Sequence, residues 1–272
     1  MATSSVDVYI VGTGMVGYRQ LTREHEQAFE AAERVYVLNP LPEAKEYIHD
    51  RCESVIDLTD EYEPGGERAQ SYERMAERVV DGAETVDGPV VLAVYGHPVV
   101  GVTPTGLIRD EAAQRDLTVE IYPGISSLDC LYVDLDVNPL DSGVQVYEAT
   151  DVLVREVQLD PATPAFLMQI GLVGTRLYDR SQSAPERFRD IRAHLEGQYP
   201  SDHEVSLVRT ATLPLADAEQ RWFPLAEFES MAEQVDATHT LYIPPAEGRA
   251  TRNERIAEQA YSDAHLDRIT EE

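Results

Sequence analysis

The chain has 272 residues, of which 50 are Asp or Glu and 22 are Lys or Arg, so its formal net charge at pH 7 is −28. With 43% hydrophobic and 26% charged residues, it can bury the core of one large or two modest domains, which excludes a disordered acidic tail and a coiled coil. The excess of carboxylates repels phosphate groups, so we expect neither nucleic acid nor a membrane surface as a partner.

Lys45 is the only lysine of the chain. Scarce lysine with abundant carboxylate is typical of a halophilic protein, in which concentrated salt screens the repulsion between surface charges. The alternative is an acidic surface that receives a basic partner.

Cys52 and Cys130 lie far apart and neither belongs to a C-x-x-C pair, so we expect no disulfide framework and no metal site. Residues 1–6 lack the features of a signal peptide, and a cytoplasmic location is therefore expected. Residues 88–107 contain no charged side chain, but His97-Pro98 and Pro104 interrupt them, which argues against a membrane span.

The first half of the sequence predicts strands that alternate with helices. Strands are expected at 6–11, 34–38, 89–95 and 117–121, and helices at about 21–32, 42–50, 69–82 and 103–115. Thr103 and Pro104 are typical of an N-cap followed by a proline in the first helical position. This alternation predicts a parallel sheet with helices on both faces.

Tyr122-Pro123-Gly124 then interrupts the pattern, and the second half is richer in strands. Strands are expected at about 143–148, 164–169, 203–209 and 239–243, and a terminal helix from about Arg252. We therefore predict an α/β protein with an N-terminal α/β domain at 1–121, a C-terminal α/β domain at 122–245 and a charged tail at 246–272. The short boundary predicts a cleft between the two domains.

Residues 12–17 (GTGMVG) match the pattern G-x-G-x-x-G after the first strand. This pattern is typical of dinucleotide binding, although the second strand ends in Asn39 where such a site needs Asp or Glu for the ribose. The alternative is a tight turn from strand to helix that requires glycine.

Residues 95–101 (YGHPVVG) follow the most apolar strand, where parallel sheets bind ligands. The backbone of this loop can hold a small cationic or adenosine-bearing molecule without a metal. His97 is a candidate catalytic base, or it stabilises the turn by a local hydrogen bond.

Tyr62, Arg68 and Tyr72 form a third set. If a helix begins near Arg68, Arg68 and Tyr72 share one face at i and i+4, and the Gly65-Gly66 loop can fold Tyr62 back towards them. A guanidinium beside a phenol favours the phenolate, which is a usable general base. The spacing alone also fits an exposed arginine with two partly buried tyrosines.

Four short motifs together resemble the tetrapyrrole methylase superfamily of S-adenosylmethionine-dependent methyltransferases. They are Val11-Gly12-Thr13-Gly14, Tyr95-Gly96-His97-Pro98, Tyr122-Pro123-Gly124-Ile125-Ser126-Ser127 and Leu213-Pro214. The second motif is usually Gly-Gly-Asp-Pro in that family, and the variant found here is similar to borosin-type peptide backbone α-N-methyltransferases. The resemblance reaches about Pro245 and implies a C-terminal mixed sheet beside the N-terminal parallel sheet, with the cofactor in the cleft.

The resemblance also implies the site. Tyr62, Arg68 and Tyr72 match the catalytic tyrosine–arginine–tyrosine pattern of borosin enzymes. The residues expected around S-adenosylmethionine are Tyr95, Gly96, His97, Val100, Ser126, Ser127, Gln169, Ala211 and Thr240. Tyr72 would accept the amide proton, Arg68 would stabilise charge on the amide oxygen, and Tyr62 would orient the peptide.

Residues 246–272 are charged and hold no apolar core-peptide run, so we expect a precursor peptide substrate in trans, of the split borosin kind. The resemblance further implies a homodimer. Two alternatives remain open: a methyltransferase for a tetrapyrrole or another small metabolite on the same fold, and a cofactor-binding protein that no longer transfers methyl groups.

Overall fold

The computed structural model describes residues 6–178 and 185–270. The expectation for residues 1–5 lies outside this part of the chain, as do residues 179–184 of the second predicted domain and residues 271–272 of the tail.

The first half of the chain forms a parallel sheet of five strands. The strands are β1 (Val8–Gly12), β2 (Arg34–Leu38), β3 (Val55–Asp57), β4 (Val90–Val94) and β5 (Val119–Tyr122). The helices are α1 (Arg23–Ala31), α2 (Pro42–His49), α3 (Arg68–Ala83) and α4 (Thr103–Gln114). The strand order is β3-β2-β4-β1-β5, with every pairing parallel.

Apolar residues of this sheet point alternately to its two faces, as the pleat of a strand requires. Ile10 and Leu92 pack with Met75 of α3 and Ile108 of α4. On the opposite face, residues of β1, β2 and β4 pack with α1 and α2. The predicted parallel sheet with helices on both faces is therefore confirmed.

Two details of this half differ from the sequence prediction. The three-residue strand β3 was not expected, because a strand this short carries too few residues to show a period of two. Val102 occupies the N-cap of α4, so Thr103 is the first helical residue and not the cap. Pro104 still lies in the first turn, where the missing N–H of proline is tolerated.

The second half forms a mixed sheet. Its strands are β6 (Gln145–Glu148), β7 (Ala165–Met168), β8 (Glu204–Arg209), β9 (Glu219–Pro224) and β10 (Thr240–Ile243), in the order β6-β7-β10-β8-β9. The first pair is parallel, and the other pairs are antiparallel. Strand β9 was not predicted, because it lies at a sheet edge and its first four residues, 219–222, are all exposed, so the sequence shows no alternation of apolar and polar residues there.

In the described part of the chain, this sheet is accompanied by the α-helices α5 (Ser127–Asp134), α6 (Ala149–Val154) and α7 (Glu186–Glu196) and by a 3-10 helix at Leu225–Gln234. Helix α5 packs through Leu131 on one face, against Phe166 and Tyr242. Helices α6 and α7 cover the other face. A parallel sheet followed by a mixed sheet is the predicted α/β class, whereas the domain boundary after residue 121 stays a prediction.

The tail contains two exposed helices, α8 (Glu254–Ala260) and α9 (Asp263–Thr270), near the predicted start at Arg252. Across residues 6–178 and 185–270, the helices are all too short or too polar to cross a membrane.

Candidate functional site

Three loops meet where β1, β4 and β5 end, at Gly12, Gly96 and Gly124. A Cβ added to Gly12 would lie 2.6 Å from the amide nitrogen of Gly124 and 2.6 Å from the carbonyl oxygen of Gly96. Gly14 and Gly96 also exchange backbone hydrogen bonds of 3.2 and 2.9 Å. Side chains would therefore separate these loops, and glycine allows three strand ends to share one point.

The loop at residues 12–17 is a tight turn. The side-chain oxygen of Gln20 accepts hydrogen bonds from the amides of Met15 and Val16, at 2.5 and 3.1 Å. Gly14 lies in the left-handed region at φ 76°. The amides that would face a pyrophosphate thus have a partner within the chain, which supports the structural interpretation of this motif.

Asn39 occupies the position where a dinucleotide site would need a carboxylate. It is fully buried, and its side-chain nitrogen donates to the hydroxyl oxygen of Thr13 at 2.7 Å. The Thr13 hydroxyl in turn donates to the carbonyl of Val94 at 2.9 Å. Asn39 therefore joins the ends of three strands and offers no acceptor pair for a ribose.

The loop after β4 contains four of the residues expected around the cofactor. His97 accepts a hydrogen bond from the amide of Val99 through Nδ1, at 3.2 Å, which is the local role weighed against catalysis. Gly96 is in the left-handed region at φ 72°. Burial, with a smaller contribution from the neighbouring Cys130, raises the pKa of Tyr95 to about 12. Tyr95 is therefore a neutral phenol at neutral pH.

Ser126 and Ser127 lie at the start of α5. The Ser126 hydroxyl donates to the Asp129 carboxylate at 2.6 Å and accepts from the Asp129 amide at 3.2 Å. This pair forms a capping box, so the Ser126 side chain is already engaged in stabilising the helix start.

The remaining expected cofactor residues come from the second half. Gln169 ends β7 in the left-handed conformation, at φ 55° and ψ 33°. A Cβ on Gly101 would lie 3.4 Å from its side-chain nitrogen, so Gln169 is next to the loop that holds Val100. Thr240 is buried in β10 and donates to the sulfur of Met168 at 3.6 Å. Ala211 follows β8 and is half-buried.

Arg68 and Tyr72 lie one helical turn apart at the start of α3, as the i, i+4 spacing predicted. Both line an open cleft of about 790 Å³, together with Gln169. The other residues that line this cleft are Thr103, Glu148, Thr150, Gly174, Thr175, Arg176 and Leu177. Two expected catalytic residues and one expected cofactor residue thus share one cavity.

Tyr62 does not line this cleft but packs beside it. Its ring meets the ring of Tyr72 edge to face, with centroids 6.1 Å apart and an interplanar angle of 83°. On its other side it stacks on Tyr178, at 4.2 Å and 14°. The structure therefore places Tyr62 behind Tyr72, relative to the cleft.

A short two-stranded ribbon joins the two halves at this point. The Arg68 amide donates to the carbonyl of Arg176 at 3.1 Å, and the Arg68 guanidinium donates to the carbonyl of Thr175 at 2.8 Å. Arg176 also forms an ion pair with Glu67, at 3.0 Å. Among the described residues, the guanidinium of Arg68 is thus held in place through one of its five N–H donors.

Several cleft residues were not expected from the sequence. Glu148 is the last residue of β6 and Thr150 lies at the start of α6, and a polar pair at the carboxyl end of a parallel strand is a signal that could have suggested them. The cleft residues Gly174–Leu177 belong to a loop without periodicity, and we find no sequence signal for their position. Apart from Gln169, the expected cofactor residues do not line this cleft; they surround the neighbouring strand ends.

Among the described residues, we find no group of three or more His, Cys, Asp or Glu side chains placed to hold a metal ion.

The sequence profile of the family described as Tetrapyrrole (Corrin/Porphyrin) Methylases matches residues 7–227. The chain is 32% identical over 248 residues to a methyltransferase/ribosomally synthesized cyclic peptide dendrothelin A precursor of Dendrothele bispora, covering 89% of this chain and 58% of that protein. It is 29% identical over 256 residues to a methyltransferase/type I borosin cyclic peptide precursor of Cerrena unicolor, covering 91% and 61%. The chain thus spans about three fifths of the length of these relatives.

Solved structures share the fold. Uroporphyrin-III-C-methyltransferase from Thermus thermophilus superposes with a TM-score of 0.61 at 16% identity, covering 88% of this chain and 91% of that chain. A likeness at this level of identity carries the architecture and not the substrate.

Proposed function

The chain belongs to the family of tetrapyrrole (corrin/porphyrin) methylases, and from this premise we propose that it transfers methyl groups from S-adenosylmethionine to backbone amide nitrogens of a separate precursor peptide. The resemblance inferred from its motifs is confirmed at the level of the family. The similarity to methyltransferases that are also cyclic peptide precursors supports a peptide as the substrate class.

One observation carries the proposal. Arg68 and Tyr72 line the same cleft as Gln169, so a cation and a phenol lie beside a residue expected to contact the methyl donor. A peptide amide nitrogen is a poor nucleophile because its lone pair is delocalised into the carbonyl group. Transfer to it needs a group that removes the N–H proton and a group that stabilises charge on the amide oxygen, and this pair can supply both.

The residues present fit S-adenosylmethionine. The cleft adjoins the loop at residues 95–101 through Gln169 and Gly101. Its volume of about 790 Å³ is within the range of about 300–1,000 Å³ that small-molecule sites occupy. The loop at residues 95–101 carries glycine at two left-handed positions, Gly96 and Gly101, and a Cβ at the latter would be in ordinary contact with the side chain of Gln169. Close approach of backbone to a ligand is therefore possible there.

The cofactor contacts differ in kind. The cofactor would be surrounded by the residues expected from the sequence, which are Tyr95, Gly96, His97, Val100, Ser126, Ser127, Gln169, Ala211 and Thr240. Because the side chains of His97, Ser126 and Thr240 already have partners within the chain, we assign to these three backbone or shape contacts. The amide side chain of Gln169, which lines the cleft, is free to contribute polar contacts.

S-adenosylmethionine, when bound, would supply an electrophilic methyl group on a positively charged sulfur, and the pair of electrons of the broken carbon–sulfur bond would stay on the sulfur, which leaves as a neutral thioether. Tyr72, in its deprotonated form, accepts the proton of the peptide amide, and the N–H electron pair stays on nitrogen to form the new bond to carbon. Arg68, fixed through Thr175, stabilises the negative charge on the amide oxygen. The position of this open cleft between the two halves of the chain would align the reacting groups.

The separate substrate and the homodimer are parts of the same proposal. Large exposed apolar side chains, such as Val133 and Leu140, are available for association with a second copy.

The test is a mass measurement on the products. The purified chain with S-adenosylmethionine and a peptide encoded beside it should add methyl groups that fragmentation places on backbone nitrogens, while the mass of the enzyme itself stays unchanged. Methylation of a tetrapyrrole and of no peptide would reject the peptide substrate. Methylation of the enzyme's own chain would reject the substrate in trans, and light scattering that gives one chain per particle would reject the dimer.

A further inference from the structure

Three tyrosine rings from the two halves of the chain stand in a row beside the cleft. Tyr178 stacks face to face on Tyr62, and Tyr62 meets Tyr72 edge to face. Only Tyr72 of the three lines the cleft among the described residues. Among the described residues, Tyr62 contacts the ring of Tyr72, and Tyr178 contacts the ring of Tyr62.

Backbone hydrogen bonds fix the outer ring of this row. The amide of Gly65 donates to the carbonyl of Tyr178 at 2.9 Å, and the amide of Tyr178 donates to the carbonyl of Gly66 at 2.8 Å. Glu67 and Leu177 form the adjoining antiparallel bridge. Tyr178 is therefore attached directly to the loop that carries Tyr62, although more than 100 residues separate them.

The ring of Tyr72 packs against Tyr62 and against the apolar core beneath α3. Within residues 6–178 and 185–270, we find no hydrogen bond of its hydroxyl, so ring packing sets its orientation. Edge-to-face and offset-stacked contacts have preferred geometries, so a ring held by them loses rotational freedom. A base that must meet an amide proton has to lie within about 3 Å of it.

We propose that Tyr178 is a positioning residue for methyl transfer, which holds the phenol of Tyr72 at the cleft through the ring of Tyr62. This inference rests on the proposed function of the site. In this proposal a residue of the second half of the chain, Tyr178, helps to position the general base Tyr72. Tyr62 then supports the ring of Tyr72 and does not itself touch the peptide.

The contacts among the three rings predict how substitutions of Tyr178 will change the rate of methyl transfer. Tyr178→Leu removes the stacked ring and should lower kcat by about 100-fold, the effect of a misplacement of roughly 1 Å, with the affinity for S-adenosylmethionine unchanged. Tyr178→Phe keeps the ring and should retain kcat within about threefold. Tyr178→Met provides a second variant without a ring, should Tyr178→Leu fold poorly.

Tyr47→Leu is the matched control. Tyr47 stacks on Tyr18 at 4.6 Å and 7°, in α2 and away from the cleft, so its replacement removes a comparable pair. It should leave kcat unchanged. Equal losses in Tyr178→Leu and Tyr47→Leu would overturn the proposal, as would a loss in Tyr178→Phe as large as that in Tyr178→Leu.

A readout without catalysis separates this proposal from the substrate assignment. In protein labelled with 3-fluorotyrosine, the fluorine resonance of Tyr72 is identified by its loss in Tyr72→Phe. Tyr178→Leu should shift or sharpen that resonance because the ring moves more freely, and Tyr47→Leu should leave it in place. An unchanged Tyr72 resonance in Tyr178→Leu and Tyr178→Met would refute the positioning role, even if no peptide is ever methylated.

Discussion

Gly124→Ala tests whether the junction of three strand ends supports the cofactor loops. A Cβ at Gly124 would lie 2.6 Å from the carbonyl oxygen of Gly12 and closer still to that of Gly96, whereas ordinary contact begins near 3.4 Å. Both neighbours are backbone atoms, so the loops themselves must separate by roughly 1 Å in a close-packed interior. Overpacking of this kind costs about 1–3 kcal/mol in unfolding free energy.

The assay compares Gly124→Ala with Gly106→Ala. Gly106 lies within α4 and a Cβ there would meet nothing within 4 Å, so that variant should gain about 0.5–1 kcal/mol. Thermal unfolding should show a fall of roughly 2–10 °C for Gly124→Ala, and calorimetry should show weaker binding of S-adenosylmethionine. A Gly124→Ala protein with unchanged midpoint and unchanged affinity would refute the close approach and its link to the cofactor site.

Two further predictions concern stability and pH. Burial lowers the pKa of His25 below its usual value, and only the neutral ring can accept the hydrogen bond from the Thr22 amide through Nδ1. This stabilisation is therefore complete above pH 6.5 and is lost as the pH falls. Denaturant titrations should show that the free energy of unfolding declines in acid, and this decline should be absent in His25→Gln. For Asp57, burial raises the pKa, but hydrogen bonds from Lys45 and Thr59 outweigh it and lower the pKa overall. Lys45→Met should cost about 1–3 kcal/mol at pH 7, and the gap should close as the pH falls below about 4; a gap independent of pH would contradict the role of this ion pair.

The sequence predicted most of the parallel sheet, because long apolar runs and proline or glycine at helix and strand ends are local signals. Arg34–Leu38 coincides with the observed strand, and the helix that begins at Arg68 gave the pairing of Arg68 with Tyr72. Strand β3 was not predicted because it is too short, and β9 was not predicted because four successive residues of it are exposed. Their positions depend on pairing with distant strands, which no local pattern encodes.

Part of the candidate site was also predictable from local sequence signals. The residues at the strand ends could be placed by the rule that ligands bind at the carboxyl ends of parallel strands. The contact of Tyr178 with Tyr62 and the anchoring of Arg68 on Thr175 join segments more than 100 residues apart, and depend on how the two halves meet. Only the three-dimensional structure shows these contacts.

The central claim is that Tyr72 removes the amide proton while Arg68 stabilises the resulting charge. It is tested most directly by single-turnover methyl transfer to the peptide in Tyr72→Phe, with the exposed Tyr261→Phe as control. We expect a loss of at least about 100-fold for Tyr72→Phe, in line with general base catalysis, with cofactor affinity unchanged and with full activity in the control. A Tyr72→Phe enzyme that transfers methyl groups at the rate of the parent chain would contradict the account.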